Sequence, residues 1–83
     1  MAWTKTAAPF VEDAIEILMW AYGAPAKYRF LERLAQRQRP GQAFMNGLYE
    51  NDTDEYNRLT GSLADPFYDD SKLPAAIDML TMK

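Results

Sequence analysis

Glycine and proline punctuate this chain so often that no long element can form. Breaks at Gly23-Ala24-Pro25, Pro40-Gly41, Gly61 and Asp65-Pro66 leave only short segments between them. Proline removes a backbone donor, and glycine ends a helix at little steric cost. Within the segments apolar residues recur every three or four positions, the period of a helix that buries one face. No segment alternates apolar and polar residues for long, so strands are not expected. The predicted architecture is all-α, a compact small bundle of four to five short helices forming a single domain over residues 1–83.

The first helix is expected from about Ala8 to Tyr22, with Pro9 in its first turn, Glu12 and Asp13 complementing its positive end, and Gly23 as its stop. At 100° per residue its apolar side chains span a wide arc, and Glu12, Asp13 and Glu16 define a narrow polar one. Trp20 falls inside the polar arc and Met19 at its edge. Either the rest of the chain covers these two side chains or they wait for a partner, and coverage is the favoured reading. A second helix is expected from about Ala26 to Gln38, with Phe30, Leu31, Leu34 and Ala35 turned inward. Arg29, Arg33 and Arg37 then form a solvated border, with Glu32 placed to pair with Arg29.

A third helix, from about Gly41 to Glu50, carries Phe44, Met45, Leu48 and Tyr49 at helical spacing. Gly47 in its interior costs about 1 kcal/mol against alanine and suggests close packing. Asp52 or Thr53 is expected to cap a short fourth helix through Thr60, after which Leu63 tucks back onto the core. Residues 64–70 read as an ordered loop anchored by Phe67 and Tyr68. Asp70 or Ser71 is then expected to cap a last helix with Pro74 in its first turn.

The chain has no cysteine and no histidine. Disulfides, thiolate and imidazole chemistry, and the usual zinc ligand sets are therefore absent, and stability must come from packing. Asp52-Thr53-Asp54 begins like a calcium loop but lacks the later ligands and glycine, and turn and cap roles account for Asp65, Asp69 and Asp70. There is no glycine-rich phosphate loop, serine elbow or lysine within an apolar run. The expectation is a protein that is not an enzyme and needs no cofactor or metal. The N-terminal MAWTKTAAPF lacks the pattern of a leader, and the longest apolar run, Ile17 to Tyr22, is too short to span a bilayer. A cytoplasmic protein with no membrane partner is expected, folding alone or as a homo-oligomer.

The net charge of −3 conceals an asymmetry. Lys27, Arg29, Arg33, Arg37 and Arg39 crowd one segment, and Glu50, Asp52, Asp54, Glu55, Asp65, Asp69 and Asp70 crowd another. The favoured reading is that the two halves face and partly neutralise each other. The alternative is that the basic helix lies along a nucleic-acid backbone, with Gln36 and Gln38 as base readers, although such domains are usually strongly basic overall. In a mirror reading, the acidic segment with Phe67 and Tyr68 enters a basic groove on another protein.

Four further segments are Leu31-Glu32-Arg33-Leu34, Arg39-Pro40-Gly41-Gln42-Ala43-Phe44-Met45-Asn46, Tyr56-Asn57-Arg58-Leu59-Thr60-Gly61 and Asp65-Pro66-Phe67-Tyr68-Asp69-Asp70. Over residues 30 to 80 this wording resembles a loose group of short, mostly uncharacterised proteins of phage and prophage genomes. The resemblance implies a phage origin and a bacterial cytoplasm, and it carries no activity to particular residues. Gln42 and Asn46 lie four apart on one helix face; the favoured reading is that they hydrogen-bond the backbone of the Asp65 loop, and the alternative is that they line a binding groove.

Together these readings predict a non-enzymatic protein that binds and modulates or inhibits a host protein. Its contact candidates are Met19 and Trp20, or the loop of Phe67, Tyr68, Asp69 and Asp70. A nucleic-acid regulator using Lys27, Arg29, Arg33, Arg37 and Arg39 is the alternative, and a minor virion or assembly component is a third reading.

Overall fold

A computed structural model describes residues 8–82. The expectation that the N-terminus lacks a leader falls largely on residues 1–7, outside the described residues. Five helices follow in order: α1 (Ala8–Tyr22), α2 (Ala24–Ala35), α3 (Pro40–Asn51), α4 (Thr53–Leu59) and α5 (Leu73–Thr81), with a 3-10 turn, Asp70–Lys72, leading into α5. No strand occurs among the described residues. None of these helices is long and apolar enough to cross a membrane.

Helix α1 packs against α2, α3 and α5, and α3 also receives α2, α4 and the 3-10 turn. Between them Leu18, Phe30, Phe44, Met45, Leu48, Leu59, Leu73 and Leu80 are fully buried. Each such side chain contributes roughly 1.5–3 kcal/mol of transfer free energy, which is how a chain without staples holds together. The radius of gyration, 11.1 Å, matches the roughly 12 Å of a folded domain of this length.

The breaks act locally as the punctuation predicts, with shifts at the ends. Gly23 has a φ of 92°, open to glycine at no steric cost, and this lets α2 start at Ala24 with Pro25 in its first turn. Helix α2 then stops at Ala35, three residues before the expected end. The Gln38 and Arg37 amides donate back to the Arg33 and Leu34 carbonyls at 3.0 Å, closing a Schellman turn with Arg37 in the left-handed region at φ 70°. Glycine usually holds that position, so an arginine there hides the stop from sequence reading. Glu12 and Asp13 lie just past the first turn of α1.

Other expectations are corrected by packing. The buried line of α2 is Ala26, Phe30 and Arg33, while Leu31 and Ala35 face outward. Arg33 is therefore not on a solvated border. Gly47 leaves room for it: a Cβ there would lie 3.8 Å from Arg33 Nη1 and 3.9 Å from Leu18, ordinary contact for alanine and crowding for anything longer. Leu63 does not return to the core and is 92% exposed, because the turn following Gly61 points it outward. Tyr49 also lies outside the core, its ring meeting that of Tyr56 edge-on at 5.1 Å. Asp52 caps α4 by accepting from the Glu55 amide at 3.2 Å.

Candidate functional site

The two charged segments do meet. Glu50 spends one carboxylate oxygen on each of two arginines, with Arg29 Nη2 at 2.8 Å from Oε2 and Arg33 Nη2 at 2.7 Å from Oε1. Arg29 also reaches Glu32 at 3.1 Å, as its spacing predicts. Hydrogen bonds from Arg29, and then from Arg33, hold the Glu50 carboxyl down at about 2. Arg33 is buried, and its Nη1 has no hydrogen-bond partner among the described residues, so Glu50 is its principal compensation.

The motifs of the resemblance also come together, through different residues from those expected. Arg39 donates to the Phe67 carbonyl, and the Gly41 amide donates to Asp70 Oδ1 at 3.0 Å. A Cβ on Gly41 would overlap the Pro66 carbonyl oxygen and come within 2.9 Å of Asp70 Oδ1. Only glycine fits where α3 meets the loop. Asn46 turns away from the loop and donates to Gln38 Oε1 at 2.9 Å. Asp70, expected as a helix cap, is drawn into this clasp, and Asp69 does the capping by accepting from Ser71 N at 3.0 Å. The hydrogen bonds from Ser71 lower the Asp69 pKa. Asp65 accepts from the amides of Gly61 and Phe67, which fixes the loop from inside.

Of the basic residues singled out, Arg29, Arg33 and Arg39 are thus tied to acidic partners or to carbonyls. Lys27 sits 5.7 Å from the Tyr28 ring centre, and Arg37 is exposed with no ion pair among the described residues. Phe67 is half-buried and packs against the core, with the exposed Tyr68 ring edge-on to it at 4.8 Å. These two rings line a small pocket of about 140 Å³ with Met45, Tyr56, Thr60 and Asp65. Tyr22 donates to Asp52 at 2.8 Å, and burial first, then that bond, raises the phenol pKa, so this polar contact stays protonated. The buried Glu55 receives Arg58 Nη2 at 2.7 Å.

The N-terminal helix behaves differently. Trp20 is 71% exposed and Met19 47%, so the favoured expectation that the chain covers them is overturned. Helix α5 packs beside α1 without closing over Trp20. What remains is a groove of about 460 Å³ between the two helices, walled by Asp13, Glu16, Ile17 and Trp20 from α1 and by Ile77 and Thr81 from α5. The wheel already sets Asp13 and Glu16 around Trp20, so those two were legible as neighbours. Ile77 and Thr81 lie more than fifty positions away in sequence and join only through the packing of α5 on α1. No family model, curated protein or solved structure matches this chain.

Proposed function

We propose that the chain is a non-enzymatic, phage-encoded binding protein that acts in the bacterial cytoplasm by docking on a host protein and modulating or inhibiting it. The observation that carries this reading is the exposure of Trp20 beside Met19 at the mouth of the α1–α5 groove. Tryptophan is among the residues enriched at binding hot spots, and an exposed apolar side chain beside a groove marks a contact site. The absence of histidine and cysteine from the sequence supports a binding role over catalysis. The loop of Phe67 to Asp70 is the weaker contact candidate, since Phe67 is half-buried and Asp69 and Asp70 already serve the chain's own backbone.

Nucleic-acid binding by Lys27 to Arg39 has less support, because three of the five cations are engaged internally and the net charge is −3. Affinity capture from bacterial lysate, with and without nuclease, tests the choice. One protein retained after nuclease and lost with Trp20→Ala supports the proposal. Retention of nucleic acid by the wild-type chain, insensitive to Trp20→Ala, defeats it, as does enrichment of the chain in purified virions with no soluble partner.

A further inference from the structure

We infer that the α1–α5 groove receives a cationic amphipathic segment of its partner, one carrying lysine or arginine beside at least one large apolar side chain. This rests on the reading of α1 as the contact surface and names what that surface recognises. Helix α1 contains Glu12, Asp13 and Glu16 and no lysine or arginine from Ala8 to Tyr22. All three carboxylates are exposed, and none forms an ion pair among the described residues. On the wheel they interleave with Met19 and Trp20 on one face.

Apart from the Trp20 indole N–H, the polar side-chain groups that line the groove are acceptors. Asp13 and Glu16 are carboxylates, and the Thr81 hydroxyl donates its proton to the Ile77 carbonyl at 2.8 Å, so its oxygen is left to accept. A ligand must therefore bring donors. The floor of Ile17 and Ile77 and the exposed Trp20 ring ask in addition for apolar and cationic contact, since an indole face attracts a guanidinium or ammonium group. Phosphate backbones and anionic lipid headgroups bring negative charge and are repelled by this face. The volume suits one or two large side chains from a segment lying across the groove.

The test titrates the full chain by calorimetry with a synthetic peptide of leucine and lysine at helical spacing, and with its counterpart carrying glutamate for lysine. Binding of the lysine peptide alone is expected, falling by about tenfold or more with Asp13→Asn plus Glu16→Gln and lost with Trp20→Ala. Asp54→Asn, an exposed carboxylate on α4, should leave it unchanged. Equal binding of the glutamate peptide, or no binding of the lysine peptide, overturns the inference. If a lysate partner is lost with Trp20→Ala yet survives the double charge variant, the binding role stands and the cationic class is wrong. Self-association of the chain abolished by Trp20→Ala would put a second copy in the groove and likewise overturn it.

Discussion

The middle of this chain and its first helix carry charge in opposite ways. Between Arg29 and Asp70 most of the paired charges serve the fold: Glu50 bridges Arg29 and Arg33, Arg58 pairs with the buried Glu55, and Arg39 and Asp70 join α3 to the loop. On α1 three carboxylates and a tryptophan face outward, with no ion pair among the described residues. A cluster of like charges in a sequence is therefore no guide to a binding surface until the element folded against it is known. The denser cluster became scaffold, and the sparser one stayed free.

The contrast is open to breaking from either side. The largest effect is expected at the clasp, where Gly41→Ala drives a Cβ into the Pro66 carbonyl and costs about 3 kcal/mol, read as a lowered urea midpoint. A loss below about 0.5 kcal/mol would mean that the loop moves aside freely and that the middle region is not the scaffold described. On the other side of the comparison, Trp20→Ala should leave stability within about 0.5 kcal/mol while weakening partner binding by about thirtyfold, or ~2 kcal/mol. Destabilisation in place of lost binding would make Trp20 part of the core.

Glu50→Gln is expected to cost about 1–2 kcal/mol, because it leaves the buried Arg33 guanidinium without a charged partner. Its pH signature is specific. The Glu50 carboxyl is held at about 2, against 4.5 ordinarily, by bonds that favour its charged form. Its stabilisation is thus complete above about pH 4.5 and drains away as pH falls toward 2, so the variant should show a shallower loss over that window in acid denaturation. The smallest effect should be a gain: Arg37→Gly relieves the left-handed backbone of the α2 stop and adds about 0.5–1 kcal/mol to the thermal unfolding free energy. A loss there would show that the Arg37 side chain contributes a contact that outweighs its strain.

Helix positions were largely legible, because a three-to-four residue apolar period and proline or glycine breaks are local properties. Helix α1 matches its expected span of Ala8 to Tyr22, and Asp52 caps α4 as its place before Thr53 suggests. The end of α2 was not legible, since Arg37 occupies a position where glycine is the usual signal. Nor was the inward turn of Arg33, which depends on the room left by Gly47 and on the reach of Glu50, residues distant in sequence. Leu63 and Leu31 looked like core by hydropathy and lie outside it, because neither has an element folded over it.

By itself, the sequence determined an all-helical domain, excluded imidazole and thiolate chemistry, and set Trp20 among the carboxylates of α1. Each of these follows from residue type and from spacing along a single helix. Only the tertiary structure decided that Arg29, Arg33 and Arg39 are spoken for and that Ile77 and Thr81 complete a groove beside Trp20. It also decided that Gly41 must be a glycine. Those outcomes depend on which elements come within a few ångströms of one another, and burial and charge pairing are properties of that approach.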